Sequence, residues 1–136
     1  QIIDTLGLRA DAEGGWYSET WRAEAAEGER ASGTAIYYML EAGDVSHWHR
    51  VDATEIWHFY AGSPLLLSIA DTEAGPRRDL VLGRDLTTDA RPQRIVPTGH
   101  WQAARSLGDW TLVGCTVSPG FRFDGFELAA PGFDIP

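Results

Sequence analysis

The stretch from Gly43 to Gly62, GDVSHWHRVDATEIWHFYAG, decides the fold. His47 and His49 stand two residues apart, so on a β-strand their side chains share one face, roughly 7 Å apart along the strand. Two imidazoles converging from one face suit a first-row metal. Glu55 heads a second apolar run, Glu55-Ile-Trp-His-Phe-Tyr60, which closes at Gly62. Between them, Arg50-Val-Asp-Ala-Thr54 is polar enough for a tight connection. Two neighbouring strands are therefore expected to gather His47, His49 and Glu55 inside one concave sheet.

Outward from this centre the chain reads as short strands separated by Gly and Pro. Thr34–Leu40 is β-rich and bounded by glycines, Pro64–Ala70 is largely apolar, and Leu80–Leu82 closes at Gly83. Gln93–Val96 leads into a turn at Pro97–Gly99, Trp101–Arg105 follows, and Trp110–Val117 is the clearest strand of all. Upstream, Trp16–Arg22 alternates, with Trp16, Ser18 and Thr20 on one face and Tyr17, Glu19 and Trp21 on the other. One of these faces is expected to floor a pocket. Ile2, Ile3 and Leu6 share a helical face that Gly7 can end with a left-handed turn. Ala23–Ser32 is Glu-rich, broken by Gly28, and reads as an exposed loop. The tail from Pro119 to Pro136 carries Phe121, Phe123, Phe126 and Phe133 and is expected to pack across a sheet or a partner chain. The sum is an all-β barrel or sandwich with one short N-terminal helix.

Composition narrows the function classes. A chain of 136 residues with 43% hydrophobic residues and six Trp suffices for one globular domain, residues 1–136, with its own core. Eleven basic against 20 acidic residues give a net charge of −9, which argues against binding nucleic acid or an anionic membrane face. Cys115 is the only cysteine, so no internal disulfide forms, and a reducing cytoplasm is expected. There is no run of about twenty apolar residues to span a membrane.

These motifs resemble those of the cupin superfamily. Gly43, His47-x-His49, Glu55 and Gly62 follow the order of its first motif, and Pro97-Thr-Gly-His-Trp-Gln102 resembles its second, with Gln102 where a His is usual. Glu13-Gly-Gly-Trp-Tyr-Ser-Glu-Thr20, Ser46–Val51, Glu55–Tyr60 and Asp109–Val117 resemble the small single-domain cupins catalogued as domain of unknown function 985. The resemblance implies a jelly-roll β-barrel with a pocket, and a homodimer. It names no reaction.

The sharpest functional expectation is a divalent metal, Zn, Fe, Ni or Mn, held by His47, His49, Glu55 and Gln102. An amide oxygen in place of a third imidazole would weaken its retention. The alternative for the same residues is a hydrogen-bonded polar cluster lining a pocket. Glu55 and His58 are the candidate proton-transfer groups. His58, three residues beyond Glu55, points to the opposite face unless a bulge turns it inward. Trp16, Tyr38, His100 and Trp101 are expected to line the pocket mouth, with His100 a substitute for the missing ligand. Three function classes follow, all with a small-molecule ligand. They are a metal-dependent isomerase, epimerase or oxygenase on a sugar-like or carbonyl substrate, a metal-free epimerase resembling sugar-nucleotide epimerases, and a non-catalytic binding module.

Overall fold

The structure, a computed structural model, describes residues 1–136. It has one short helix, α1 (Ile2–Leu6), and eleven strands: β1 (Arg9–Ala10), β2 (Trp16–Arg22), β3 (Thr34–Glu41), β4 (Val45–Val51), β5 (Thr54–Gly62), β6 (Leu65–Ala70), β7 (Arg78–Leu82), β8 (Gln93–Val96), β9 (Trp101–Ser106), β10 (Trp110–Ser118) and β11 (Phe126–Leu128). The expected strands are all present; β1 and β11 are additions. Gly7 closes α1 at φ 66°, the left-handed position glycine takes at least cost. No helix is long and apolar enough to cross a membrane.

The strands form two antiparallel sheets, one in the order β1-β2-β3-β10-β5-β8 and the other β11-β4-β9-β6-β7. Their inner faces meet in a core that contains Tyr38, Leu40, Trp57, Leu65, Leu67, Ile69, Leu82 and Val113. The period of two along each strand carries this core gradually into a cavity. On β3 the inward series runs Leu40, Tyr38, Ile36, Thr34; on β10 it runs Val113, Cys115, Val117. Register aligns the two, with Val113 opposite Tyr38 and Cys115 opposite both Ile36 and Trp57. One end of the sandwich is packed solid and the other opens.

The outer face of the five-stranded sheet is covered too. Trp48, Ala70 and Trp101 pack there against Ile135, with Phe133 and Ala129 at the margin, so the C-terminal tail straps this sheet as its aromatic content predicted. The Arg50 guanidinium lies 4.7 Å from the centre of the Trp101 ring.

Candidate functional site

The open end encloses a cavity of about 450 Å³. Its walls are largely apolar, with Ile36, Val51, Val117, Phe121, Phe123 and Phe126 among them, while Asp11, Glu13, Tyr38, His49, Glu55 and Cys115 supply the polar surface.

His49 and Glu55 reach it from opposite sheets, β4 and β5, and not from neighbouring strands of one sheet as expected, because the short turn between the two strands carries the chain from one sheet to the other. His47 does not, which corrects the expected convergence of the two imidazoles. The physical reason is a β-bulge. Ser46 pairs with Ala104 and His49 with Gln102, so three steps on β4 oppose two on β9. The extra residue breaks the alternation. Ser46 and His49 both face inward, Ser46 donating to Glu13 Oε2 at 2.5 Å, and His47 is left outside with its Nε2 2.9 Å from the carbonyl of Ala130.

His49 is 2% exposed. Its Nδ1–H donates to the His47 carbonyl at 2.7 Å, which leaves Nε2 as the bare nitrogen of the neutral ring. Burial lowers its pKa, outweighing the attraction of Glu55. Nε2 lies 3.4 Å from Glu13 Oε1. Burial, reinforced by the charge of Asp11, pushes the Glu13 carboxyl up to about 8. Glu55 is pushed up to about 7, again chiefly by burial, which the nearby His49 opposes. Asp11 is raised by the same cause. Near neutrality the cavity thus holds a protonated Glu13, a neutral imidazole and a Glu55 poised to gain or lose its proton.

Gln102 is fully buried and does not line the cavity. Its amide bridges the two sheets, accepting from Trp57 Nε1 at 2.7 Å and donating to Glu55 Oε1 at 2.9 Å. Both ends are committed, so the amide oxygen is not available as the metal donor expected of it. Gln102→Leu is expected to cost roughly 2–4 kcal/mol, because it orphans the Trp57 N–H and a carboxylate oxygen in the interior. Urea unfolding at neutral pH checks this; a loss below about 1 kcal/mol would mean that neither group depends on the bridge.

The other expected site residues sort by face. Tyr38 lines the cavity, its hydroxyl donating to the Gly14 carbonyl. His58 points to the outer face of the six-stranded sheet, its Nε2 3.0 Å from Thr116 Oγ1, so no bulge turns it inward. Trp101 is buried beneath the C-terminal tail, and His100 sits in the turn before it with Nδ1 3.4 Å from the Thr98 carbonyl; neither lines the cavity. Trp16 does not line it either, since Tyr17, Glu19 and Arg22 are the residues of β2 that do. A register shift between Glu19 and Trp21 puts Arg22 inward in place of Trp21.

Glu13 and Asp11 were not singled out from the sequence as site residues. The signal beside them was Gly14-Gly15. A Cβ on Gly14 would stand 1.9 Å from the Val45 carbonyl oxygen, and one on Gly15 2.8 Å from that of Met39. Only glycine lets this segment lie against β3 and β4 and aim Glu13 at His49.

No set of three His, Cys, Asp or Glu side chains is arranged to hold a metal ion. With His47 outside and Gln102 committed, the side chains as placed do not make the expected metal cage.

The model of the Cupin superfamily (DUF985) matches residues 1–129. A protein from Shewanella oneidensis of known crystal structure is 40% identical, with a TM-score of 0.89 over 95% of this chain and 82% of that one. A hypothetical protein from Leishmania major is 29% identical, with a TM-score of 0.84 over 96% of this chain and 86% of that one. Oxalate decarboxylase from Bacillus subtilis superposes with a TM-score of 0.69 over 93% of this chain and 30% of the enzyme, at 14% identity, which shows a shared fold alone. No curated protein matches the sequence. The two-sheet jelly roll, its inward-facing His49 and Glu55, and a family match that spans nearly the whole length make this chain a member of the cupin superfamily, in the DUF985 family.

Proposed function

We propose that the cavity binds a small organic molecule and moves a proton on it, with Glu55 as base, Glu13 as acid and His49 Nε2 positioning the Glu13 carboxyl. The observation that carries this reading is the 3.4 Å approach of His49 Nε2 to Glu13 Oε1 within a cavity that Glu55 faces from the opposite sheet. Two carboxyls whose surroundings separate their proton affinities are the usual means of running acid and base steps in one site. A base near pH 7 abstracts a proton efficiently from a carbon next to a carbonyl or from a hydroxyl. A neighbouring neutral acid can return one elsewhere on the molecule. Isomerisation and epimerisation need nothing further.

Solvent-deuterium exchange tests this. Small carbonyl and hydroxycarbonyl compounds incubated with the protein in deuterated water are expected to include at least one that gains deuterium at an acidic carbon. Glu55→Gln is expected to slow that exchange by about 10²–10⁴-fold with the fold intact by circular dichroism. Compounds that occupy the cavity yet never exchange would remove the metal-free proton-transfer reading.

A metal-dependent reaction is the second reading, supported by the family resemblance and by the two cavity-facing donors His49 and Glu55. It requires His47 to leave Ala130 and turn inward. Zn²⁺ or Mn²⁺ titrated into chelator-treated protein at micromolar concentration is expected to give no binding heat. Stoichiometric uptake that disappears in His49→Ala would reverse the order of the two readings.

A homodimer belongs to the same proposal. Trp21, Tyr60 and Ile95 on the outer face of the six-stranded sheet are 54%, 52% and 56% exposed, an apolar area that a second subunit would cover. A monomer by light scattering at micromolar concentration would remove it. A reducing, cytoplasmic setting accords with the free buried thiol of Cys115.

A further inference from the structure

The inner end of the cavity is rich in hydrogen-bond acceptors, and apart from the Glu13 carboxyl its side-chain donors already have partners. The Tyr38 hydroxyl donates to Gly14, the Ser46 hydroxyl to Glu13 and the Gln102 amide to Glu55. His49 uses its only N–H on the His47 carbonyl. The acceptors are less well served. His49, 2% exposed, has no partner at Nε2 nearer than Glu13 Oε1 at 3.4 Å, too long for a good hydrogen bond. The second oxygen of Glu55 has no partner stronger than the thiol of Cys115.

Charge points the same way. All eleven basic residues of the chain are arginines, and only two of them border the cavity. Arg22 is held by Glu19 at 2.7 Å and by the Phe121 carbonyl at 3.0 Å. Arg9 lies exposed at the mouth, 5.8 Å from the centre of the Tyr17 ring. Neither stands among Asp11, Glu13 and Glu55. A carboxylate or phosphate entering head first would meet three acids and no cationic donor.

We infer that the ligand is a small organic amine with an apolar or aromatic body, its ammonium hydrogen-bonded between Glu13, His49 and Glu55. The inference rests on reading the cavity as a small-molecule site and narrows it. The ammonium supplies three donors to Glu13, His49 and Glu55, and its positive charge favours release of the Glu13 proton to solvent, which frees that carboxyl to accept. Its body lies against Ile36, Val51, Val117 and the phenylalanines of the 121–126 segment, which leave space for a ring with a short arm. Phosphorylated sugars and dicarboxylates are disfavoured with their charge inward, although the jelly roll is shared with oxalate decarboxylase.

Three probes of nearly one shape test it: benzylamine, benzyl alcohol and benzoate. Affinity is measured by calorimetry at neutral pH, and the side-chain NMR signals of His49 report occupancy of this cavity. Benzylamine is expected to bind at least about tenfold more tightly than benzyl alcohol, and benzoate weakest. Glu55→Gln, which keeps the bond from Gln102, is expected to erase most of the amine's advantage while leaving the alcohol's affinity in place. Benzoate equalling or exceeding the amine, with His49 signals shifting, would overturn the inference and leave the small-molecule site standing. If no probe moves His49 at millimolar concentration in a folded protein, the small-molecule reading fails together with it.

Discussion

Glu13→Gln is expected to stabilise the protein by roughly 2–4 kcal/mol at about pH 9 and to change little at about pH 4. The cause is the buried carboxyl, raised from 4.5 to about 8 by desolvation first and by Asp11 second. In the unfolded chain that group ionises near 4.5, whereas in the folded protein it keeps its proton until about 8. Between those limits the folded state binds more protons, so rising pH favours unfolding. The contribution is fully present below the lower value and is lost as pH passes through the upper one. The whole shift corresponds to about 5 kcal/mol, and water entering the cavity reduces it. A glutamine keeps the hydrogen bond from Ser46, offers an N–H toward His49 Nε2 and cannot ionise. Urea unfolding at several pH values checks the sign. The wild type should weaken from about pH 5 to 8 and the variant should follow a flatter curve. Parallel curves would show that Glu13 is solvated in the folded state, and the acid assigned to the site would be lost. Glu55→Gln should flatten the same profile over a narrower window, 4.5 to about 7.

The fold was legible because its signals are local. Alternation over Thr34–Leu40 and Trp110–Val117, with Gly and Pro at the strand ends, needs no long-range information to be read as β-structure. The order and pairing of the strands are not local and came only through the family resemblance. The site was legible in part, and the division follows from one residue. Equal spacing on a strand implies one face only while the ladder is regular. A single inserted residue between Ser46 and His49 moved His47 out and Ser46 in, and no feature of the sequence marks that bulge. A second shift in β2 did the same to Trp21 and Arg22.

Glu13 was hidden for a different reason. It lies in the loop before β2 and reaches His49 across 36 positions of chain, which no periodicity encodes. Gln102 illustrates the converse. The second motif marks it as a metal donor, whereas its amide lies behind the cavity wall and bridges Trp57 and Glu55, two groups where an imidazole would bind one. What sequence alone identified was a part of the polar interior, His49, Glu55 and Gln102. What it left open was which partner each side chain takes.

Deleting residues 131–136 is expected to destabilise the protein by roughly 3–5 kcal/mol and to shift tryptophan emission to longer wavelength. The segment lies beyond the stretch matched by the family model, yet it closes one face of the molecule. Ile135 is fully buried against Trp48, Ala70 and Trp101. Phe133 stacks on Trp101 with ring centres 5.8 Å apart. Asp134 accepts from Trp48 Nε1 at 2.8 Å, and the carbonyl of Pro136 accepts from the Arg77 backbone N–H at 2.8 Å. Burial of one Ile and part of a Phe accounts for most of the loss, and the two hydrogen bonds for the rest. One term works in the opposite direction. Trp101 Nε1 is buried without any partner, so removing the tail returns water to it and offsets about 1–2 kcal/mol. Ile135→Ala separates these effects, since it creates a cavity without hydrating Trp101. It should cost roughly 2–4 kcal/mol with little change in emission. If truncation costs less than the single substitution, the gain at Trp101 outweighs the tail's contacts other than those of Ile135; if both are neutral, the strap does not hold the sheet and the two tryptophans tolerate solvent.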